Sequence, residues 1–265
     1  MIRIFLIASV LFLAGCSSQE EGDFNQGQKN LSQGHTKVAL SFFERVVKRN
    51  SHSKMTLEAA RESARISFFE LKDYPKAIEF HHFIVLSSPD EKERLESQKQ
   101  IASIYFNNLQ NYQAAIVEYS KLQEMPHTEA EAAQYKLNVA RSQYYLNNFF
   151  QAESEIDNLL KLKAEENIRF NALMLKGNIL IGKKEYLKAA DLLKNLMQAY
   201  PQKALQENVP LTLAVCYEEN SDYKNAIRVL EEHKQNYHPQ EYIELRIKKL
   251  QERLRNAPGA KGFRK

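Results

Sequence analysis

From about residue 23 onward the apolar positions of the chain recur three, four and seven residues apart. That spacing gathers them on one face of an α-helix, and no stretch shows the strict alternation of a half-buried strand. Six segments carry an alanine in the middle of the apolar face: "GHTKVALSFFERVV" at Ala39, "KDYPKAIEFHHFIV" at Ala77, "QNYQAAIVEYSKLQ" at Ala115, "NNFFQAESEIDNLL" at Ala152, "KEYLKAADLLKNLM" at Ala189 and "SDYKNAIRVLEEHK" at Ala226. The alanines are 38, 38, 37, 37 and 37 residues apart. Four residues after each stands Phe43, His81, Tyr119, Ile156, Leu193 or Leu230, and three before it Thr36, Tyr74, Tyr112, Phe149, Tyr186 or Tyr223.

Just ahead of the aromatic position come Asp73, Asn111, Asn148 and Asp222, side chains that accept hydrogen bonds from the free amides of a helix start. Upstream lies a second amphipathic stretch in each unit, for example "EAARESARISFFEL", "YKLNVARSQYYL" or "PLTLAVCYEEN". Each unit thus reads helix, short turn, helix. Pro89, Pro126, Pro201 and Pro239 are expected to stop the second helix. Only 8 glycines and 7 prolines in 265 residues agree with a helical chain.

The tyrosine, the alanine, the apolar position after it and the closing proline resemble the tetratricopeptide repeat, over roughly residues 20 to 240. Gly27 and Gly177 fall where that family often has glycine at the close contact of its first helix, and Gly34 falls at its turn. The period exceeds the family's 34 by three or four residues, which longer inter-repeat loops would absorb. The resemblance implies an all-α, right-handed superhelical solenoid of about six helix pairs, residues 23–237. A capping helix is expected over 238–256, with Tyr242, Leu245, Ile247, Leu250 and Leu254 as its apolar positions, then a basic tail over 257–265. End units of a repeat array need such a polar cover. By the family's register, first helices line a groove, which points to Glu62, Phe69, Asn107, Arg141, Tyr144, Tyr145, Asn178 and Glu218 as partner-binding residues. Aromatic and arginine side chains are the usual interface anchors, which singles out Arg141, Tyr144 and Tyr145, although the two tyrosines would equally serve packing between repeats.

The amino terminus reads differently. After Arg3 comes "IFLIASVLFLA", about ten apolar residues, shorter than the roughly 20 of a membrane-spanning helix. "LAGC", residues 13 to 16, resembles the lipobox of bacterial lipoproteins. That resemblance implies a signal peptide over 1–15, an acylated Cys16 as first mature residue and a short tether over 16–22. A plain amino-terminal transmembrane helix is the competing reading. Two or more acyl chains anchor a protein stably. Ser17, where an aspartate would resemble an inner-membrane retention signal, favours the bacterial outer membrane with the chain facing the periplasm.

Charge and chemistry narrow the function further. A net charge of +4, or +3 without Arg3, is too small to argue for nucleic acid. From Arg246 onward eight basic residues face one acidic residue, Glu252, which suits a solvated surface or contact with an anionic surface or acidic partner. With Cys16 acylated, Cys216 is left alone in an apolar stretch and reads as a core residue. The chain contains no "GxxxxGK[ST]", "GxSxG" or "HExxH", and its seven histidines show no metal-ligand spacing. The expectation is a non-enzymatic, lipid-anchored scaffold with protein partners in the cell envelope, without cofactor, metal or small-molecule substrate. An outer-membrane lipoprotein of this kind resembles the repeat lipoprotein of the β-barrel assembly machinery, and next the pilotins of type IV pilus secretins. A cell-wall or division adaptor, or a ligand-binding lipoprotein, stays open as a third reading.

Overall fold

A computed structural model describes residues 19–49 and 53–256. The expected signal peptide over 1–15, Cys16 and the expected basic tail over 257–265 lie outside the described residues. Helices α1 (residues 19–32) and α2 (Thr36–Arg49) form the first pair. The second is α3 (Lys54–Arg65), extended by a π-turn over Ile66–Glu70, with α4 (Tyr74–Ser87). The third is α5 (Glu91–Ser103), extended by a π-turn over Ile104–Asn108, with α6 (Tyr112–Glu124). Then follow α7 (Glu129–Tyr145) with α8 (Phe149–Leu160), and α9 (Glu166–Gly182) with α10 (Tyr186–Ala199). A short α11 (Pro201–Gln206) leads to the sixth pair, α12 (Val209–Glu219) with α13 (Tyr223–His233), and α14 (Gln240–Asn256) comes last. The fold is an all-α helical solenoid whose chain divides into two compact units at Pro126/His127, with three helix pairs in each.

The alanine register holds in all six pairs. Ala39, Ala77, Ala115, Ala152, Ala189 and Ala226 are each fully buried on the second helix of their pair. Small side chains there let the first helix approach closely, and the two glycines expected at that contact occupy it. A Cβ on Gly27 would lie 2.6 Å from the Phe43 ring, and one on Gly177 would lie 3.1 Å from Leu193.

Every pair also turns on one residue in the left-handed region, five positions before its alanine: Gly34, Lys72, Gln110, Asn147, Lys184 and Ser221, with φ between +50° and +77°. The following amide closes the turn onto the first helix. In four pairs it donates to a carbonyl five residues back, as Asn148 N to Gln143 O at 2.9 Å and Asp222 N to Tyr217 O at 2.8 Å. In the second and third pairs it reaches six residues back, Asp73 N to Ser67 O at 2.8 Å and Asn111 N to Tyr105 O at 2.9 Å. The extra residue that makes these two spacings 38 is therefore absorbed inside the first helix as a π-turn, not in an inter-repeat loop.

Three further expectations are corrected. Asp73, Asn111 and Asp222 accept from backbone amides at their helix starts, but Asn148 makes no such bond, because its side-chain amide donates to Gln143 Oε1 at 2.9 Å. Pro201 does follow the end of α10 at Ala199, as expected, and it also opens α11 in its first turn, where the missing N–H is no loss. In α14 the buried stripe is Ile243, Ile247 and Leu250, spaced four and three apart, while Tyr242, Leu245 and Leu254 are exposed. The helix is rotated from the expected register, and residues 19–22, expected as tether, are already part of α1.

Candidate functional site

The expected groove residues divide between the units. In the first unit, Glu62 on α3 is half-buried and pairs with Arg65 at 3.0 Å. Phe69, in the π-turn, is 67% exposed and lies edge-on to Phe68, with ring centroids 4.7 Å apart. Asn107, in the other π-turn, is exposed and donates to Ser103 Oγ at 2.9 Å.

In the second unit, Arg141, Tyr144 and Tyr145 occupy the last turns of α7, and Asn178 lies on the neighbouring α9. The two tyrosines part company. Tyr144 packs on the core of α7 and α8, with its ring 5.9 Å from Phe149, whereas Tyr145 is 53% exposed. Arg141 and Asn178 are half-buried. Glu218 on α12 is bound up within the unit: its carboxylate accepts from Arg246 at 3.0 Å and Arg253 at 2.6 Å, both on α14. Two cations on one carboxylate fasten the last helix to the sixth pair, so Glu218 acts here as a structural clasp.

A cavity of about 330 Å³ opens where α3, α4 and α5 meet in the first unit. Ala64, Phe68 and Ile84 give it apolar walls, and Arg61, Arg65, Glu93 and Glu96 stand at its rim with Phe69. Arg61 grips Glu93 with two nitrogens, the second at 2.9 Å, and Ser88 Oγ donates to the same carboxylate. The guanidinium hydrogen bond from Arg61 holds the Glu93 carboxyl below the usual range, with Ser88 helping and burial opposing. His81 from α4 also lines the cavity. Burial, with a smaller push from His82, lowers its imidazole to about 4, and its Nδ1 is buried without a hydrogen-bond partner. Sequence reasoning placed His81 at a repeat core position and missed the cavity, because its walls come from three helices spread over residues 61 to 100. No local spacing signals that convergence.

Among the described residues, no group of three or more His, Cys, Asp or Glu side chains comes together to hold a metal, and no helix is long and apolar enough to cross a membrane. Cys216 is fully buried, and that burial pushes its thiol up to about 11, which leaves it protonated and unreactive at neutral pH.

No family model and no curated protein matches the chain. Its fold is similar to solved tetratricopeptide repeat structures. One is a tetratricopeptide repeat protein from Parabacteroides merdae ATCC 43184, with a TM-score of 0.55 at 13% identity over 89% of this chain and 88% of that one. The fold is also similar to the solved structure of yeast Tom70, with a TM-score of 0.52 at 18% identity, covering 83% of this chain and 45% of that one.

Proposed function

We propose that the protein is a non-enzymatic scaffold that binds other proteins of the bacterial cell envelope, held at the outer membrane by an acylated Cys16 and serving β-barrel assembly. The observation that carries the reading is the repeated helix pair in each unit. An array of such pairs presents first-helix side chains from successive repeats, and partners are gripped by a few exposed aromatics and arginines among them. Phe69 in the first unit and Tyr145 in the second are exposed side chains of this kind. The lipobox-like "LAGC" supports the anchor, and only two residues separate Cys16 from residue 19, where α1 is described.

The test is a photoreactive residue at Tyr145 in living cells, with mass spectrometry of the captured protein. Capture of the barrel-assembly core is the expected result, while capture of a secretin would move the protein to pilus assembly, for which the six helix pairs speak. Cys16→Ser is expected to abolish processing and membrane fractionation; unchanged behaviour of that variant would remove the anchor from the proposal.

A further inference from the structure

Within the first unit, we propose that the cavity between α3, α4 and α5 is a receptor for one bulky, uncharged aromatic side chain of a protein partner, with Phe69 as the ring it packs against. This deepens the scaffold reading and rests on it. Three independent observations converge on this spot. The first is size and lining, since about 330 Å³ with walls from Ala64, Phe68 and Ile84 lies within the range of small-ligand pockets.

The second is charge. Every ionic group at the rim is already paired inside the unit: Arg61 with Glu93, Arg65 with Glu62 and Glu70, and Glu96 with Lys99. A charged ligand would have to break one of these pairs to gain another. The polar groups of the wall, the His81 imidazole with Ser97 and Gln100, are neutral at physiological pH, so nothing within the cavity selects a cation or an anion. The third is backbone geometry. The π-turn over Ile66–Glu70 adds a residue to the end of α3, and it carries Phe69 at the mouth with two thirds of its surface open and its edge against Phe68. π-Turns inside helices recur at functional positions. Edge-to-face contact with a third ring is the geometry such a pair favours.

The probes are the N-acetyl amides of phenylalanine, leucine, aspartate and lysine, titrated into the isotopically labelled protein while the Ile84 methyl and His81 ring signals are followed. The phenylalanine amide should give shifts that saturate in the millimolar range, the leucine amide about threefold weaker ones, and the two charged amides none that saturate. Phe69→Ala should weaken phenylalanine binding about two- to tenfold, the usual contribution of one aromatic pair. Phe69 is exposed, so that variant folds; Phe150→Ala, exposed in the second unit, is the matched control and should change nothing. Equal shifts for all four probes, no saturable shift, or binding unaffected by Phe69→Ala would each overturn the pocket. The two proposals fail separately. A partner crosslinked through Tyr145 with no phenylalanine binding here leaves the scaffold without this receptor. Phenylalanine binding with no partner at Tyr145 leaves a pocket without the scaffold.

Discussion

The two units contain the same number of helix pairs and hold them together in different ways. Among the described residues, buried polar side chains concentrate in the first unit: Glu20, Thr56, Ser63, Ser67, Ser88, Ser97, Gln98 and Glu118, against Ser142 alone in the second. Some are well satisfied. Glu20 accepts from Ser53 and from Thr56 at 2.8 Å, and Gln98 donates to Glu118 at 2.7 Å. Others are not, since the Ser63 and Ser67 hydroxyls are buried without partners. The second unit instead has a large apolar cluster running from Phe170 to Leu250. A polar core gains stability only when each group is paired, whereas an apolar core gains it with every carbon removed from water. The first unit thus adds specific polar pairings to its apolar core, and the second relies more on bulk packing.

The largest expected effect tests the apolar side of this contrast. Phe170 is fully buried and packs edge-on to Tyr200, so Phe170→Ala should cost about 3–5 kcal/mol, read by chemical denaturation. Hydrogen exchange should show the loss of protection concentrated in α9 to α14. Glu118→Ala in the first unit should cost less, about 1–3 kcal/mol, because it leaves the buried amide of Gln98 with only its longer bond, 3.3 Å, to the Glu118 backbone carbonyl. A loss as large as that of Phe170→Ala would mean the pairing matters more than the packing. Ser67→Ala should do the opposite and stabilise by about 1 kcal/mol, since it removes a buried hydroxyl with no partner.

Acid should also separate the units. His81 titrates near 4 in the folded chain against 6.5 when unfolded, so between those values the unfolded state binds the extra proton. Its contribution to stability is fully present above pH 6.5 and is lost progressively as the pH falls toward 4. Denaturation midpoints should therefore fall across that window, and His81→Leu should flatten the slope; an unchanged slope would show that the imidazole is not desolvated. The smallest effect concerns helix starts. Asp73→Ala should cost about 1 kcal/mol by removing a cap, and Asn148→Ala less than about 0.5 kcal/mol because its side chain caps nothing.

What the sequence revealed depended on whether a residue type was chosen for one purpose. Ala77 and Ala189 were legible as close contacts because a small residue recurring amid large apolar ones makes room for a neighbouring helix and does little else. The left-handed turn was not, because Lys72, Gln110, Lys184 and Ser221 carry no mark of that backbone; only Gly34 and Asn147 are residues that favour it. In α14, Tyr242 and Leu245 looked as apolar as Ile243, and only packing against α13 decided which stripe went inside. The groove residues met a similar limit. Register placed Glu218 on the first helix of its pair, but could not show Arg246 and Arg253 arriving from α14 to occupy it.

The constant position of the left-handed residue makes the six turns a standard coupling. The alanine follows it by five positions in all pairs, and the two irregularities, the π-turns, lie upstream of it. A chimera spliced at that residue would join the first helix of one pair to the second helix of another without a phase error. A splice made by counting a fixed 37 residues would be out of step by one at the second and third pairs, turning each apolar face by about 100°. The chain is therefore modular at its turns and not at its period.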